Sequence, residues 1–385
     1  MVSEVASSKR VDPLARRDRP AFEAGEAQLR VVDLFAGCGG LSLGLAQSSV
    51  ARGLGLDITL ALDAEPAATR VFQTNFPKAR VAMAKVEDYF DGRLESSLTT
   101  TEREVAKSCG RVDMLIGGPP CQGHSNLNNR TRRDDPKNAL YARMARAAAV
   151  LRPHVLIIEN VPTVQHDRGD VLGITTNCLS NLGYAVGART IGLHALGVAQ
   201  KRRRHVLLAT LLEDIDPSAL LTSLAERPAE PGLHLGWAIG DLAEMNKRSG
   251  YDIEPRASAK NLERMDYLIM HDIHDLPNSE RPRCQQDNHS YKSMYGRLKW
   301  DSPAQTITSG FASIGQGRYM HPSHRRALTA HEAARIQGFP DYYDFSSAMR
   351  RGDLATMIGN AVPPALTREI GAGLLDTLGP RLTSS

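Results

Sequence analysis

Cys121 sits where its thiol could act as a nucleophile. It follows two glycines and two prolines at residues 117–120, at the end of a predicted strand. Prolines restrict the backbone before the thiol, and a rigidly held nucleophile needs less ordering in the transition state. A buried structural cysteine is the alternative, but the polar sequel QGHSNLNNRTRRDD favours an exposed loop. That loop is either simply solvated or a lid that closes over a phosphate backbone.

A carboxyl group and two guanidinium groups could hold a substrate beside that thiol. Glu159 ends an apolar run, where partial desolvation can raise its pKa and let it donate a proton to a ring nitrogen. A capping or salt-bridged acid is the alternative. In QKRRRHV, strand alternation places Arg202 and Arg204 on one face and Arg203 on the other. Such a pair can hold a carboxylate and a carbonyl oxygen, although many basic clusters are only solvated.

A glycine-rich turn and a later acid indicate a bound cofactor. The turn, DLFAGCGGLSLG at residues 33–44, joins a strand to a helix. Glycines let a ligand approach the backbone and permit unusual φ angles, but the spacing is not the dinucleotide form GxGxxG. Asp63 ends the next strand and could bind ribose hydroxyls, with Glu65 as its competitor. A structural turn and a solvated acid are the alternative.

Six short apolar runs must position these groups. Each is rich in Val, Ile and Leu, as expected for strands buried on both faces. The runs lie within residues 29–37, 57–65, 111–120, 152–161, 184–193 and 203–212, with helix-length segments at 67–76 and 138–152. This alternation predicts an α/β fold with a doubly wound, mostly parallel sheet. Ligands bind beyond the carboxyl ends of such strands, which is where the chemical segments fall.

Composition divides the chain into a tail and two domains. Residues 1–28 are polar and Arg-rich and predict a mobile tail, which could also touch DNA. Residues 29–212 with 352–385 form the larger, catalytic domain, and the loop-rich residues 213–351 form a smaller second domain. Within the chain's last third, Thr329 and Glu332 predict a capping box. The last helix is expected to begin near Pro364.

Composition, cysteine content and net charge limit the class of protein to which the chain can belong. The 385 residues are 42% hydrophobic and 23% charged, as in ordinary globular proteins. No run approaches the roughly 18 apolar residues that span a bilayer, and the first residues lack the apolar centre of a secretory signal. A cytoplasmic protein is therefore expected. The five cysteines include no CxxC pair, which argues against a disulfide framework and a metal site. The net charge of +4 is compatible with nucleic-acid binding but is weak evidence for it.

Six motifs in order resemble the motif set of DNA (cytosine-5) methyltransferases of the bacterial modification type. Each motif alone is weak, but the ordered set covers residues 31–372 and is specific. The motifs are Asp33 to Gly37; Pro120-Cys121-Gln122 with Ser125; Glu159-Asn160-Val161; Gln200 with Arg202 and Arg204; Arg326 to Pro340; and Gly359-Asn360-Ala361-Val362-Pro363.

The resemblance implies a role for each matching position. Cys121 attacks C6 of a flipped-out cytosine, Glu159 holds N3 and the exocyclic amine, and Arg204 holds O2 and orients Glu159. Arg202 is placed in the same catalytic group. The S-adenosylmethionine pocket consists of Phe35, Gly37, Gly39, Gly40, Leu41, Asp63, Pro119, Asn360 and Val362. The loop that contacts DNA contributes Gln122, Ser125, Arg130, Arg132 and Arg133.

The implied activity is methylation of C5 of a cytosine in a specific sequence of double-stranded DNA. The resemblance implies S-adenosylmethionine as co-substrate, no metal, a monomer associated with the nucleoid and no membrane. The enzyme either stands alone or has a cognate restriction endonuclease as a functional partner. Residues 213–325 are the candidate for reading sequence in the major groove.

Two alternatives and one departure accompany this interpretation. The first alternative is a tRNA cytosine-5 methyltransferase, although the second domain lacks the Cys-Phe-Thr tripeptide of such enzymes. The second is a catalytically inactive DNA-binding regulator, although the PCQ and ENV motifs are intact. The departure is Lys85-Val86, which stands where the family carries an acid and an aliphatic residue that bind the adenine. Glu87 or Asp88 could replace the acid after a small shift.

Overall fold

The computed structural model describes residues 13–25, 27–120, 139–243, 250–286, 293–348 and 350–383. The strands are β1 Gln28–Leu34, β2 Gly55–Asp63, β3 Val81–Met83, β4 Met114–Gly117, β5 Val155–Asn160, β6 Ala185–Gly192 and β7 Arg203–Thr210. The α-helices are α1 Gly40–Val50, α2 Pro66–Asn75, α3 Thr100–Cys109, α4 Ala139–Leu151, α5 Val171–Asn181, α6 Pro217–Ala225, α7 Leu235–Ile239, α8 Ala259–Met270, α9 Ala330–Ile336, α10 Arg351–Asn360 and α11 Ala365–Thr383. No helix within these ranges has the length and apolarity that a bilayer crossing requires.

The strands form one sheet in the order β3-β2-β1-β4-β5-β7-β6. Strands β1 to β5 are parallel, and β7 is antiparallel to both of its neighbours, β5 and β6. The predicted doubly wound, mostly parallel sheet is therefore confirmed. Chain order reverses between β1 and β4, which is where such sheets bind ligands. Because β7 runs the other way, its first residues lie beside the last residues of the parallel strands.

Helices cover both faces of the sheet and enclose two hydrophobic cores. Successive residues of β1 divide between them, since Val31 packs in the first core and Val32 in the second. The first core continues into α7, α9, α10 and α11. A third, smaller core surrounds Met265 and Leu268 of α8. Residues 213–351 thus contribute both to the first core and to a small core of their own.

Residues 13–25 pack against the body of the protein, whereas composition favoured a mobile tail over residues 1–28. Phe22 is 1% exposed and contacts the ring of Tyr342 edge-on. The Arg19 guanidinium donates to the last backbone carbonyl of α2. The first twelve residues lie outside the described part of the chain. Phe22, the buried Leu14 and backbone hydrogen bonds to Asp341 and Tyr342 hold this segment in place. Its average composition is polar, and average composition does not reveal individual anchoring residues.

The helix signals predicted near the end of the chain are confirmed. The Thr329 hydroxyl accepts from the backbone N–H of Glu332 at 3.2 Å, and the Glu332 carboxylate accepts from the backbone N–H of Thr329 at 2.9 Å. Arg326 clamps the same carboxylate through both terminal nitrogens, at 2.7 and 2.6 Å. Helix α11 begins directly after Pro364. The segment from Arg326 to Pro340 therefore stabilises the start of its own helix, α9.

Candidate active site

The sheet brings the described motifs to one edge. Parallel strands share the edge at which they end, and antiparallel β7 begins there. The glycine turn after β1, Asp63 of β2, Gly118 after β4 and Glu159 of β5 therefore meet Arg204 of β7. Six predicted site residues lie outside the described residues: Cys121, Gln122, Ser125, Arg130, Arg132 and Arg133.

The glycine turn needs glycine for two different reasons. Gly37 and Gly39 have φ angles of 53° and 89°, and Phe35 shares this left-handed region at 56°. A non-glycine residue in that region stores backbone strain, which is common at functional sites. At Gly40 the reason is space, since a Cβ there would overlap the carbonyl oxygen of Val362. The turn is thus pressed against the GNAVP segment at the other end of the chain.

Asp63 shapes the same turn. One carboxylate oxygen accepts from the backbone N–H of Gly37 at 2.7 Å, and the other accepts from that of Glu65 at 2.8 Å. Burial raises the pKa of Asp63, and the two backbone donors oppose that effect. Each oxygen keeps a second lone pair that could accept from a ribose hydroxyl. Glu65, the competitor for that role, is exposed.

The residues around the turn fit a nucleoside-like ligand. A Cβ at Gly37 would meet no atom within 4 Å, so space is open above it. Asn360 is exposed, and a Val362 methyl lies 3.7 Å from where a Cβ at Gly118 would be. Leu41 is buried, and its carbonyl accepts from the Thr367 hydroxyl at 2.6 Å. Leu41 therefore supports the turn from behind.

The segment with the departure from the family pattern follows β3. Lys85 is exposed, whereas Val86 is buried in the second core. The Asp88 carboxylate accepts from the backbone N–H of Lys85 at 3.2 Å and so closes its own turn. Met83 is 62% exposed, and the β2–β3 register pairs it with Asp63. Sequence reasoning missed this methionine, although a large apolar residue at a strand end was a usable signal.

Glu159 and Arg204 form a nearly buried ion pair. The Glu159 residue is 6% exposed, and its Oε1 lies 2.5 Å from Nε of Arg204. Burial raises the pKa of Glu159, while the charges of Arg204 and Arg202 oppose the rise. The other carboxyl oxygen lies 3.2 Å from where a Cβ at Gly118 would be. A carboxyl group that can share a proton therefore faces the segment that leads into Cys121.

Asn160 fixes the start of that segment. Its side-chain amide donates to the carbonyl of Pro119 at 3.3 Å, and its side-chain oxygen accepts from the backbone N–H of Val161 at 2.8 Å. Pro119 itself is buried. The end of β5 thereby holds the two prolines in place, with Pro120 directly before the cysteine.

Arg202 and Arg204 reach different partners. Arg203 is exposed, as strand alternation predicted, and Arg202 is 2% exposed. The Arg202 guanidinium donates to the backbone carbonyls of Ile307 at 2.7 Å and Ala361 at 3.1 Å, and more weakly to that of Gly359. Arg202 thus fastens the GNAVP segment to β7, while Arg204 forms an ion pair with Glu159.

Two buried glutamines complete this interlock. Gln200 donates to the Gln337 side-chain oxygen at 2.6 Å, and Gln337 donates to the carbonyl of Ile358 at 2.6 Å. The Gln200 side-chain oxygen accepts from the backbone N–H of Ile307 at 3.1 Å. The QxRxR, RIQGFP and GNAVP motifs are therefore joined by side chains that support the site from outside it.

The three cysteines with described side chains are unsuited to nucleophilic attack. Cys38, Cys109 and Cys178 are buried and free of disulfides, and burial raises the pKa of each thiol, that of Cys38 to about 12. A thiolate is the reactive form. In the described ranges no group of three or more His, Cys, Asp or Glu side chains is arranged to hold a metal ion.

Comparison with known proteins gives consistent matches along the chain. Residues 29–375 match the family model described as C-5 cytosine-specific DNA methylase. The chain is 39% identical to the Type II methyltransferase M1.BsuMI of Bacillus subtilis strain 168, covering 92% of this chain and 82% of that protein. It is 29% identical to the Type II methylase M.HgiDII of Herpetosiphon aurantiacus, covering 89% of this chain and 94% of that protein.

Solved structures share the fold. A putative prophage-encoded DNA modification methyltransferase of E. coli has a TM-score of 0.61 at 22% identity, covering 91% of this chain and 99% of that one. The Dnmt2 methyltransferase of S. pombe has a TM-score of 0.63 at 18% identity, with the same coverage of both chains. The sheet and its helices therefore have the Rossmann-like arrangement of S-adenosylmethionine-dependent methyltransferases.

Proposed function

The chain belongs to the C-5 cytosine-specific DNA methylase family and is a DNA (cytosine-5) methyltransferase, and on that premise we propose how its residues perform the reaction. Family and fold imply use of S-adenosylmethionine and a duplex DNA substrate. We propose that Cys121 adds to C6 of a cytosine turned out of a specific duplex sequence. The observation that carries this proposal is the Glu159–Arg204 pair beside the segment Gly118 to Pro120.

Each proposed side chain answers a requirement of the chemistry. C5 of cytosine is a weak nucleophile, and addition of the Cys121 thiolate at C6 makes it enamine-like. Negative charge develops at N3 during this addition, and a proton from Glu159 neutralises it. Arg204 donates to O2 and holds Glu159 in place. Once C5 carries the methyl group, its proton passes to water, N3 returns its proton to Glu159, and the sulfur–C6 bond breaks so that Cys121 leaves as thiolate. S-adenosylmethionine, when bound, supplies the electrophilic methyl group that C5 requires.

The target base must leave the helix for this geometry to work. Side chains cannot reach both faces of a stacked base, so the nucleotide is extruded at a cost of roughly a few kcal/mol. We assign the grip on the duplex to residues 213–351, which have a small core of their own around α8. We propose that Gln122, Ser125, Arg130, Arg132 and Arg133 contact the DNA.

The proposed cofactor pocket lies over the glycine turn. Phe35, Gly37 and Gly39 would carry the ligand on their backbone, with the helix start at Gly40 behind it. Asp63 would accept from the ribose hydroxyls, and Pro119, Asn360 and Val362 would close the side facing Glu159. We add Met83 as an apolar neighbour of the adenine, because it is exposed beside Asp63.

A covalent trap tests the proposal. Bisulfite sequencing of DNA from a host that expresses the protein first gives the target, and methylation found in tRNA instead would redirect the assignment. A duplex with 5-fluorocytosine at the target cytosine should then form a complex that survives denaturation, because fluorine cannot leave as a proton does. Cys121→Ala should abolish the complex while S-adenosylmethionine still binds. Glu159→Gln should slow complex formation by about 100-fold or more, as expected for loss of a general acid.

A matched variant makes the trap specific. Cys178→Ala removes another thiol, on α5 in the second core, and should leave trapping intact. Methyl transfer by the Cys121→Ala protein at the wild-type rate would contradict the covalent mechanism. We further propose that the enzyme acts as a cytoplasmic monomer, either alone or with a cognate restriction endonuclease as a functional partner.

A further inference from the structure

The order of the strands determines which strand end meets each end of the cofactor. The methyl group must face the segment after β4 and Glu159 of β5, where the proposed reaction takes place. In S-adenosylmethionine the ribose carries the sulfonium on one side and the adenine on the other. Asp63 ends β2, which lies between β3 and β1 in the order β3-β2-β1-β4. A ribose on Asp63 with its sulfonium toward β4 therefore directs the adenine toward the carboxyl end of β3.

Backbone contacts hold the end of β3 directly beside Asp63. The register pairs Met83 with Asp63, and the backbone N–H of Ala84 donates to the Asp63 carbonyl at 3.0 Å. Neighbouring strands of a sheet lie about 4.8 Å apart. The residues that follow Met83 therefore lie within reach of a base attached to a ribose on Asp63.

Lys85 is held at this place by its own turn. The Asp88 carboxylate accepts from the backbone N–H of Lys85 at 3.2 Å, and Val86 is 1% exposed in the second core. Lys85 itself is exposed, and its ammonium group can donate three hydrogen bonds but accept none. The amino group at C6 of adenine is a hydrogen-bond donor as well. Lys85 therefore cannot recognise that amino group, which water can satisfy instead.

We propose that Lys85 is a specificity-determining residue, through which the cofactor pocket binds a purine equally well with or without an amino group at C6. This inference rests on the proposed cofactor pocket. A site with an acceptor for a ligand's N–H group rejects a ligand that lacks this group, because the buried acceptor then loses its partner. A donor at position 85 creates no such requirement. The nearby Asp88 carboxylate already closes its own turn.

The test compares two ligands by titration calorimetry with the full chain. They are S-adenosyl-L-homocysteine and its analogue with hydrogen in place of the amino group at C6. The wild type should bind the two with dissociation constants within about threefold of each other. Lys85→Asp supplies an acceptor at the same position and should bind S-adenosylhomocysteine about tenfold or more tightly than the analogue, as expected for one hydrogen bond to a charged group.

Two results would overturn the inference. If the wild type prefers S-adenosylhomocysteine by about tenfold or more, an acid such as Glu87 or Asp88 accepts from the amino group despite Lys85. If the Lys85→Asp protein binds both ligands equally, position 85 does not face the base.

Lys78→Asp is the matched control, because it makes the same charge reversal at an exposed lysine three residues before β3 begins, at the opposite edge of the sheet. It should leave the ratio of the two dissociation constants at the wild-type value. A change of this ratio as large as in Lys85→Asp would assign the effect to net charge and would also overturn the inference.

Gly37→Ala separates this inference from the proposed pocket on which it rests. Its methyl group should weaken binding of both ligands to the same extent, because both share the ribose and the amino-acid part. Undiminished binding of both ligands would overturn the pocket itself. Weakened binding of both, together with a wild type that prefers the amino ligand by about tenfold or more, would overturn only the role of Lys85.

Discussion

Gly37 and Gly40 stand three positions apart in one turn, yet they differ in what a methyl group would meet. At Gly40 a Cβ would overlap the backbone carbonyl of Val362, which cannot swing away as a flexible side chain can. At Gly37 space is open, and only the positive φ of 53° is unfavourable, by about 1 kcal/mol. Gly40→Ala should therefore lower the melting temperature much more than Gly37→Ala.

The two variants also test the cofactor pocket. We expect Gly37→Ala to be folded but to bind S-adenosylmethionine at least several-fold more weakly, because its methyl group occupies the space proposed for the ligand. Thermal unfolding and titration calorimetry measure both effects. A Gly40→Ala protein with wild-type stability would show that the turn and the GNAVP segment separate freely. If Gly37→Ala binds S-adenosylmethionine as tightly as the wild type, the cofactor does not occupy the space above Gly37.

For individual residues, the sequence predicted which ones lie at the same edge of the sheet, but not which atoms their side chains contact. Asp63, Glu159 and the glycine turn converge because parallel strands end at a common edge, and strand order along a sequence predicts that edge. Alternation gave the directions of Arg202 and Arg204, but only coordinates show that Arg202 ends on backbone carbonyls.

Among the elements, Arg202 gives a prediction about the link between β7 and the GNAVP segment. Lysine cannot donate to several carbonyls at once in the planar geometry of a guanidinium group. Arg202→Lys should lower the free energy of unfolding by about 2–3 kcal/mol, since buried carbonyls lose their donors. Arg203→Lys, one position along and exposed, should change it by less than about 0.5 kcal/mol.

Chemical denaturation of both variants measures this difference, and the rate of trapping on the 5-fluorocytosine duplex provides a second readout. Because Arg202 contacts the backbone and Arg204 contacts the carboxyl group, Arg204→Lys should impair trapping with a smaller loss of stability. Equal stabilities of the Arg202→Lys and Arg203→Lys proteins would show that the interlock contributes nothing to folding.

The elements themselves were largely predictable where apolar runs were long. The six predicted strand runs correspond to β1, β2, β4, β5, β6 and β7. The three-residue β3 is too short to show a pattern. Strand β6 departs from the expected burial on both faces, because it is at the edge of the sheet and several of its residues are exposed. The sequence also did not predict that β7 is antiparallel to its neighbours, because an apolar run does not show in which direction a strand crosses the sheet.

At the scale of the whole molecule, His331 links segments that the sequence keeps far apart. Its two ring nitrogens lie 2.6 Å from Asp252 and 2.8 Å from Asp341, and Arg335 binds Asp341 as well. Burial alone would lower the pKa of His331, but the two carboxylates raise it above the ordinary value. Burial opposes the effect of His331 and Arg335 on Asp341, whose pKa nevertheless falls to about 2.

These shifts predict how stability depends on pH. A histidine with a raised pKa stabilises the fold fully below its unfolded pKa of about 6.5, and this stabilisation is lost as pH rises through the folded value. For Asp341 the stabilisation is present above about pH 4 and is lost as pH falls through about 2. The melting temperature should therefore decline from about pH 6 upward, and His331→Gln should flatten that decline. A parallel decline in the variant would assign it to other groups.

The contact between the first turn of α1 and the start of α11 has a consequence for the newborn polypeptide. The Thr367 hydroxyl reaches a carbonyl at Leu41, 326 positions upstream, and Val362 abuts Gly40. During translation, the glycine turn is made long before the residues near the C-terminus that pack against it. Nearly all of the chain must be synthesised before these contacts can form, so the glycine turn is completed late, when residues 362–367 become available to pack on it.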